Sequence, residues 1–158
     1  MTNRSTNKAP KKPYSVWLPL LAFFGVLIYL FRSKVVEISQ SLIKPLQAWF
    51  ITQGFGSNHN GIDIRAAIGT EVLAPASGTV VNIYTNTQGG LQMLIKHDNG
   101  YTTGYAHLSK TLVAVNAKVK QGQTVALTGN TGTSTGPHLH FTLRNGNNEL
   151  IDPTKFLA

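Results

Sequence analysis

Glycine recurs at short intervals through most of this chain, and its spacing restricts the fold more than any other feature does. Fourteen of the 15 glycines lie after residue 49, and most segments between them are short. Short segments bounded by turn-forming residues are typical of strands, whereas interior glycines weaken helices. Residues 49–158 are therefore predicted to form one mostly β domain, built on a single antiparallel sheet and without a long helix.

One hairpin of this sheet is marked by both a strand and a turn. Leu91, Met93 and Ile95 recur at every second position and so share one face of a strand. The Asp-Asn-Gly sequence at residues 98–100 then supplies a hairpin turn before a second strand at 101–108. Further strands are predicted at residues 70–74, 79–84, 124–128 and 138–143.

An uncharged segment of 19 residues, 13–31, precedes this domain. As a helix it would span about 28 Å, close to the roughly 30 Å hydrocarbon core of a bilayer. Tyr14, Trp17 and Tyr29 lie near its ends, where amphipathic rings favour the membrane interface. Because no small-x-small cleavage site follows, the segment is predicted to be an uncleaved transmembrane helix that contacts membrane lipid.

The formal net charge of +8 does not predict a groove for nucleic acid, because many of the cations flank the uncharged segment. Four of the 14 Lys and Arg residues lie in a basic tail at residues 1–12, and three more lie in residues 32–48. Such flanking cations act as topology signals and bind lipid headgroups. More cations lie before residues 13–31 than directly after them, which predicts a cytoplasmic N-terminus and a C-terminal domain on the outer side of the membrane.

Residues 32–48 connect the predicted membrane helix to the domain. Val35, Ile38, Leu42 and Leu46 recur there at three- and four-residue spacings, the period of an amphipathic helix. This segment is predicted to be a short helical stalk or a continuation of the membrane helix.

The chain has no cysteine, so any metal must be held by His, Asp or Glu. In residues 138–143, period-two alternation buries Leu139 and Phe141 and directs His138 and His140 to the opposite face. Their Cα atoms would lie about 6.6 Å apart, close enough for both rings to serve one metal site or the reactants beside it. A pair of surface histidines on an exposed sheet face is the alternative interpretation.

A second group of polar residues surrounds Gly61. Ile62 and Ile64 face a core, whereas Asp63 faces away from it with the same parity as His59. A straight strand would hold His59 and Asp63 about 13 Å apart, so chelation of one ion requires a bend, which Gly61 permits. Two histidines and one carboxylate would leave a fourth position open, as in catalytic zinc sites. A turn with an aspartate cap is the alternative.

The second hairpin strand is predicted to form the wall of a cleft. Its odd positions put Tyr101, Thr103, Tyr105 and His107 on one face, which is polar and aromatic. His97 instead precedes the hairpin turn and is predicted to be solvated.

Residues 128–137 are too rich in Gly and Thr for a regular strand and lead directly into His138. This loop is predicted either to bring backbone amides near a substrate or to be a mobile connector. It lacks the Gly-Lys-Ser/Thr ending of a phosphate-binding loop, which excludes nucleotide binding by that motif.

Together these segments resemble the lysostaphin-like (LytM-type) zinc metallopeptidases, which cut peptide bonds in bacterial peptidoglycan. The resemblance covers about residues 49–158, although Gly104 stands where many relatives have Arg. The matching segments are His59-Asn-Gly-Ile-Asp63-Ile, Gly69-Thr-Glu-Val-Leu-Ala-Pro, Gly78-Thr-Val-Val, Gly100-Tyr-Thr-Thr-Gly-Tyr-Ala-His107-Leu-Ser and Thr128-Gly-Asn-Thr-Gly-Thr-Ser-Thr-Gly-Pro-His138-Leu-His140-Phe.

The resemblance implies the antiparallel fold of that family, one Zn²⁺ ion and peptidoglycan peptide as the substrate. The ion would be held by His59, Asp63 and His140. The resemblance also implies that His138 and His107 orient or deprotonate the attacking water, stabilise the oxyanion and return a proton to the leaving amine. Tyr105, two residues before His107 on the same predicted face, would line the substrate groove.

Two other classes of function remain as alternatives. Residues 69–81 also resemble the hairpins of biotinyl and lipoyl carrier domains, but Met93 is followed by Leu94 rather than by a modifiable lysine. The other alternative is a non-catalytic wall-binding or regulatory module of the same fold, against which the complete set of histidines argues. The predicted topology suits a cell-envelope remodelling enzyme, a component of an export machine, or a phage protein carried in a virion membrane.

Overall fold

A computed structural model describes residues 41–158 of the chain. The predicted basic tail at 1–12, the predicted transmembrane helix at 13–31 and most of the predicted stalk lie outside the described residues. Between residues 41 and 158, no helix has both the length and the apolar character needed to cross a bilayer.

This part of the chain forms ten strands followed by a short 3₁₀ helix at Pro153–Lys155. The strands are β1 (Ile51–Gln53), β2 (Ile62–Arg65), β3 (Glu71–Leu73), β4 (Gly78–Asn86), β5 (Gly90–His97), β6 (Thr102–Thr111), β7 (Lys118–Val119), β8 (Thr124–Thr128), β9 (His138–Arg144) and β10 (Leu150–Ile151).

These ten strands form one antiparallel sheet in the order β1-β2-β9-β6-β5-β4-β7. β10 pairs with β9, while β8 pairs with both β6 and β3. β5 and β6 form the predicted hairpin, and its turn is closed by a hydrogen bond of 3.1 Å from the Gly100 N–H to the His97 carbonyl. The prediction of a mostly β, antiparallel domain is confirmed.

The register of β9 between β2 and β6 determines which side chains meet. Asp63 lies opposite His140 and Arg65 lies opposite His138 on the β2 side, while Ala106 of β6 lies opposite His140 on the other. Directly opposed residues share a face of the sheet. One face of these three strands therefore collects the polar side chains.

The hydrophobic core lies against the opposite face. Ile62, Ile64, Leu139 and Phe141, all predicted to be buried, have no exposed surface. Burial of each such side chain favours folding by about 1.5–3 kcal/mol before entropy is counted. The core therefore fixes the strands on which the polar face depends.

The helical stalk predicted for residues 32–48 is wrong in its described part. Residues 41–48, which we call the N-terminal arm, contain bends and one β-bridge residue but no helix. Leu42 and Leu46 are each only 1% exposed and pack in the hydrophobic interior of the domain. The arm is therefore part of the domain rather than a spacer before it.

The backbone of the N-terminal arm is also hydrogen-bonded to the domain. The Leu73 N–H donates to the Pro45 carbonyl at 2.8 Å, and the Ala158 N–H donates to the Leu42 carbonyl at 2.9 Å. Pro45 has no N–H and disfavours a helix through its own position and the preceding one. The spacing of the leucines thus marked buried positions correctly but gave the wrong backbone conformation.

The predicted solvation of His97 is also wrong, since this residue is only 3% exposed. Its Nδ1 donates to the Ala76 carbonyl at 2.9 Å, so its Nε2 accepts from the Thr103 hydroxyl at 2.7 Å, which in turn accepts from the Tyr105 hydroxyl at 2.8 Å. Burial lowers the pKa of His97, and its backbone hydrogen bonds only partly oppose this effect. The neutral ring is thus a buried structural element.

Candidate metal centre

Three side chains meet on the polar face of the sheet. His59 lies in the turn before β2, Asp63 lies on β2, and His140 lies opposite Asp63 on β9. Asp63 Oδ1 is 3.1 Å from His59 Nε2 and 2.7 Å from His140 Nδ1, and the two ring nitrogens are 3.2 Å apart. The structure therefore brings together the three residues predicted to bind the metal.

The required bend lies between His59 and β2, at Asn60 and Gly61. Gly56 and His59 exchange two backbone hydrogen bonds of 3.0 and 3.1 Å, which fold the chain back before β2 begins. A Cβ atom at position 61 would collide with the Phe141 carbonyl oxygen on β9. The predicted bend is thus confirmed at Asn60 and Gly61, and glycine at position 61 also permits the close approach of two strands.

Each ligand imidazole is oriented through its other nitrogen. His59 Nδ1 lies 2.9 Å from the Gly54 carbonyl oxygen, and His140 Nε2 lies 3.0 Å from Asn60 Oδ1. Because these oxygens only accept, the two nitrogens carry protons, so His59 Nε2 and His140 Nδ1 are the atoms that bear lone pairs whenever the rings are in the neutral, metal-binding form. Two lone pairs beside a carboxylate repel one another unless a cation binds between them.

This set of donors fits a zinc ion. Imidazole nitrogen and carboxylate oxygen bind Zn²⁺ at about 2.0–2.2 Å, and tetrahedral geometry then separates the donor atoms by roughly 3.3 Å. The observed separations of 2.7, 3.1 and 3.2 Å are close to that value. Three protein ligands leave a fourth position open, the arrangement of catalytic rather than structural zinc sites.

The electrostatic surroundings of Asp63 favour its ionised form. Partial burial alone would raise the pKa of this carboxyl group. The hydrogen bond and charge of His140, together with the charges of His59 and His138, more than offset burial and lower the pKa. Asp63 is therefore a carboxylate at neutral pH, as a metal ligand must be.

Two further histidines lie beside the ligands. The ring centroids of His107 and His138 are 4.6 Å apart, and that of His107 is 6.2 Å from His140. His138 Nδ1 donates to the Gly136 carbonyl and His107 Nδ1 donates to the Thr131 carbonyl, each at 2.8 Å. In the neutral rings, both Nε2 atoms therefore keep a lone pair that can accept a proton.

The environment of His107 favours its neutral form. Burial lowers the pKa of its ring, and the neighbouring His138 and His140 act in the same direction. The hydrogen bond to Thr131 and the charge of Asp63 oppose this shift without cancelling it. A neutral imidazole is the form that can act as a base.

His107 reaches this site because its backbone leaves strand geometry. Its φ is 60°, in the left-handed region, which breaks the alternation of β6. The prediction that Tyr105 lines the groove on the same face as His107 is therefore wrong. Tyr105 lies opposite Phe141 on the core face, is 2% exposed and bonds to Thr103, whereas Ala106 lines the cleft.

The loop at residues 128–137 is held in place rather than being a free connector. The Thr131 hydroxyl accepts from the Leu91 N–H at 3.0 Å and donates to the Leu108 carbonyl at 2.8 Å. Gly132 approaches Gly90 so closely that a Cβ atom on it would collide with the Gly90 backbone. The loop presents the carbonyl oxygens of Thr131 and Gly136 to the rings of His107 and His138.

An open cleft of about 770 Å³ contains these histidines. Uncharged polar side chains such as Asn58, Gln88 and Thr133 make up much of its lining. A second depression of about 400 Å³ shares Asp63 and His138 with the first, so one continuous groove crosses the centre. Such a groove suits an extended peptide.

Residues 57–153 match the model of Peptidase family M23. The chain belongs to this family. The resemblance inferred from the motifs is thereby confirmed, and His59, Asp63 and His140 are positioned so that they could hold the zinc ion of this family.

The M23 domain is similar to several characterised proteins. It is 47% identical over 85 residues to the peptidoglycan DD-endopeptidase ShyA of Vibrio cholerae, covering 54% of this chain and 20% of ShyA. It is 42% identical over 107 residues to the glycyl-glycine endopeptidase ALE-1 of Staphylococcus capitis, covering 65% of this chain and 30% of ALE-1. A zinc-containing peptidase from Vibrio cholerae superposes with a TM-score of 0.69 at 34% identity, covering 72% of this chain and 39% of that one. The chain spans about a fifth of the length of the first curated relatives that it matches.

Sequence reasoning did not find the groups that orient the histidines of the M23 domain. Asn60 follows His59 directly, so an amide beside a candidate ligand was the available signal. The carbonyls of Gly54, Thr131 and Gly136 are backbone groups, and no side-chain pattern reveals them.

Proposed function

We propose that this protein is a zinc-dependent endopeptidase that hydrolyses peptide bonds in bacterial peptidoglycan. The observation that carries the proposal is the convergence of two imidazole lone pairs and one carboxylate beside His107 and His138 in an open groove. A structural metal site would need no open groove and no further histidines.

The residues of the groove divide the chemistry between them. A zinc ion held by His59, Asp63 and His140 would polarise the scissile carbonyl and lower the pKa of a bound water from about 15.7 towards 7. The Nε2 atoms of His138 and His107 can accept a proton from the attacking water and return it to the leaving amine. Once protonated, either ring can also stabilise the oxyanion.

The names of the relatives support peptidoglycan as the substrate. ShyA is a peptidoglycan DD-endopeptidase and ALE-1 is a glycyl-glycine endopeptidase. Both names describe hydrolysis of peptide bonds, which agrees with an extended groove across the centre.

We also propose that residues 13–31 anchor the protein in a membrane, with the M23 domain on the outer side. The length of this uncharged segment and the cations flanking it support this topology. Such a protein would remodel the cell envelope, open the wall for an export machine or act from a virion membrane. Full-length protein should fractionate with membranes, and deletion of residues 13–31 should release it; retention after deletion would contradict the anchor.

The catalytic proposal is tested with the full-length protein by measuring bound zinc and the release of new amino termini from purified peptidoglycan. Cleavage should stop with a chelator and return when zinc is restored. His140→Ala should lose zinc and activity together, whereas His138→Ala should keep zinc and lose turnover. Bound zinc without cleavage of several wall types would instead favour a binding or regulatory module, and loss of zinc from His138→Ala would contradict the assigned roles.

A further inference from the structure

One cation lies in the groove, and it has no role in the zinc site or in the proposed proton transfers. Among the described residues that line the two connected depressions, Arg65 is the only Lys or Arg. The only carboxylate in the same lining is Asp63, which faces the three histidines of the centre. The groove is therefore neutral over most of its length and positive at one end.

The register of the sheet aims Arg65 into the groove. It lies directly opposite His138 and two residues beyond Asp63 on β2, so all three side chains project from the same face. The depression around Arg65 is also lined by Thr52 and Pro137. Arg65 thus lines the part of the groove that does not include His107.

The guanidinium group of Arg65 has no acidic partner in the domain. Between residues 41 and 158, the ion pairs all involve Asp63 with His59, His138 or His140. Arg65 is exposed to solvent, so an anion can approach it without displacing a side chain. A guanidinium group presents paired N–H donors that match a carboxylate in a bidentate fashion.

We infer that Arg65 binds a free carboxylate of the substrate, so that the preferred substrate is an acidic cross-linked peptide rather than a neutral glycine bridge. This inference rests on the proposed function and specifies its substrate class. Along β2, Arg65 lies about 6.6 Å from Asp63. Because one peptide residue spans at most about 3.6 Å, this separation corresponds to about two residues of an extended peptide, so the carboxylate lies near the scissile bond.

The test compares three peptides in steady-state cleavage by the full-length, zinc-loaded protein. The first is a directly cross-linked stem peptide with a free carboxylate beside the scissile bond, the second is the same peptide with that carboxylate converted to a carboxamide, and the third contains only glycine. We expect kcat/KM for the acidic peptide to exceed that for its amidated counterpart by about tenfold or more, as for a hydrogen bond between charged groups.

Variants assign this preference to Arg65. Arg65→Gln should lower kcat/KM for the acidic peptide by about tenfold, mainly through KM, and leave the amidated peptide unchanged. Arg65→Lys should retain part of the preference because it keeps the charge but not the paired donors. Lys110→Gln, which removes an exposed cation of β6 outside the groove, should change neither rate. High salt should weaken the preference of the wild type only.

Three outcomes separate the inference from the proposed function. Equal effects of Arg65→Gln on the acidic and amidated peptides, or a wild-type preference for the glycine peptide, would overturn the inference and leave the endopeptidase intact. If the zinc-loaded protein cleaved no wall peptide, the proposed function would fail, and equilibrium binding would decide the inference. In that case, equal affinity of the wild type and Arg65→Gln for the acidic peptide would overturn the inference. Weaker binding of the acidic peptide, but not of the amidated peptide, by Arg65→Gln would support it.

Discussion

Asn60 is expected to control zinc affinity without being a ligand. Its Oδ1 accepts from His140 Nε2 at 3.0 Å and thereby keeps the lone pair of His140 Nδ1 directed at the metal centre. In Asn60→Ala this partner is lost, so the ring is free to rotate and to exchange its tautomer. Loss of such an outer partner lowers metal affinity by about 10–100-fold.

The structure places the expected loss near the lower end of that range. The contact between Asn60 and His140 is exposed, so water can replace the amide oxygen as the acceptor. We therefore expect the Kd for zinc to rise by about tenfold, equivalent to roughly 1.4 kcal/mol. Asn60→Asp keeps an acceptor and adds negative charge, so it should bind zinc at least as tightly as the wild type.

Competition with a chromogenic chelator would measure these affinities. Asn58→Ala is the matched control, because Asn58 lines the same cleft but makes no hydrogen bond to a ligand in the described residues. A Kd for Asn60→Ala within twofold of the wild type would refute the reasoning. An equal loss in Asn58→Ala would refute it as well, since the effect would then come from the cleft in general.

Three further predictions concern the fold around the site. Leu46→Ala should destabilise the domain by about 2–5 kcal/mol in urea denaturation, because the Leu46 side chain is only 1% exposed. Phe50→Ala is the control, because the Phe50 side chain is 61% exposed, and it should change stability by about 0.5 kcal/mol or less. Burial lowers the pKa of His97 in the folded state, so its contribution to stability is complete above the unfolded pKa of about 6.5 and declines as pH falls below it. His97→Gln should therefore lose less stability than the wild type between pH 7 and 5, and parallel curves would contradict this. Tyr105→Phe should lower the free energy of unfolding by about 1 kcal/mol and leave kcat/KM unchanged. A loss of kcat/KM without a loss of stability would instead indicate that Tyr105 contacts the substrate.

The sequence predicted the site well wherever the strands are regular. On β2 and β9, alternation alone decides which side chains point to the core, and Asp63 and His140 followed from it. The same rule predicts that His97, which shares the parity of Ile95, is buried, whereas its position before the hairpin turn predicts that it is solvated. Alternation along one strand was therefore the more reliable guide.

The remaining errors arose where the backbone departs from a repeating conformation. Alternation along β6 predicts that Tyr105 shares the groove face with His107, because the left-handed backbone at His107 has no signature in the side-chain pattern. The leucines of the N-terminal arm have helical spacing, yet hydrogen bonds to distant parts of the chain hold the arm in an irregular conformation. Such contacts depend on tertiary structure, which one segment of sequence does not encode by itself.

The left-handed conformation of His107 sets catalysis and stability against each other at one position. A side chain at such a φ costs the folded state about 1 kcal/mol or more, and glycine would adopt the same φ without that cost. Selection for stability alone would therefore replace this residue, whereas the proposed proton transfer requires its imidazole. Position 107 is thus where a search for more stable variants of the domain would select against its chemistry.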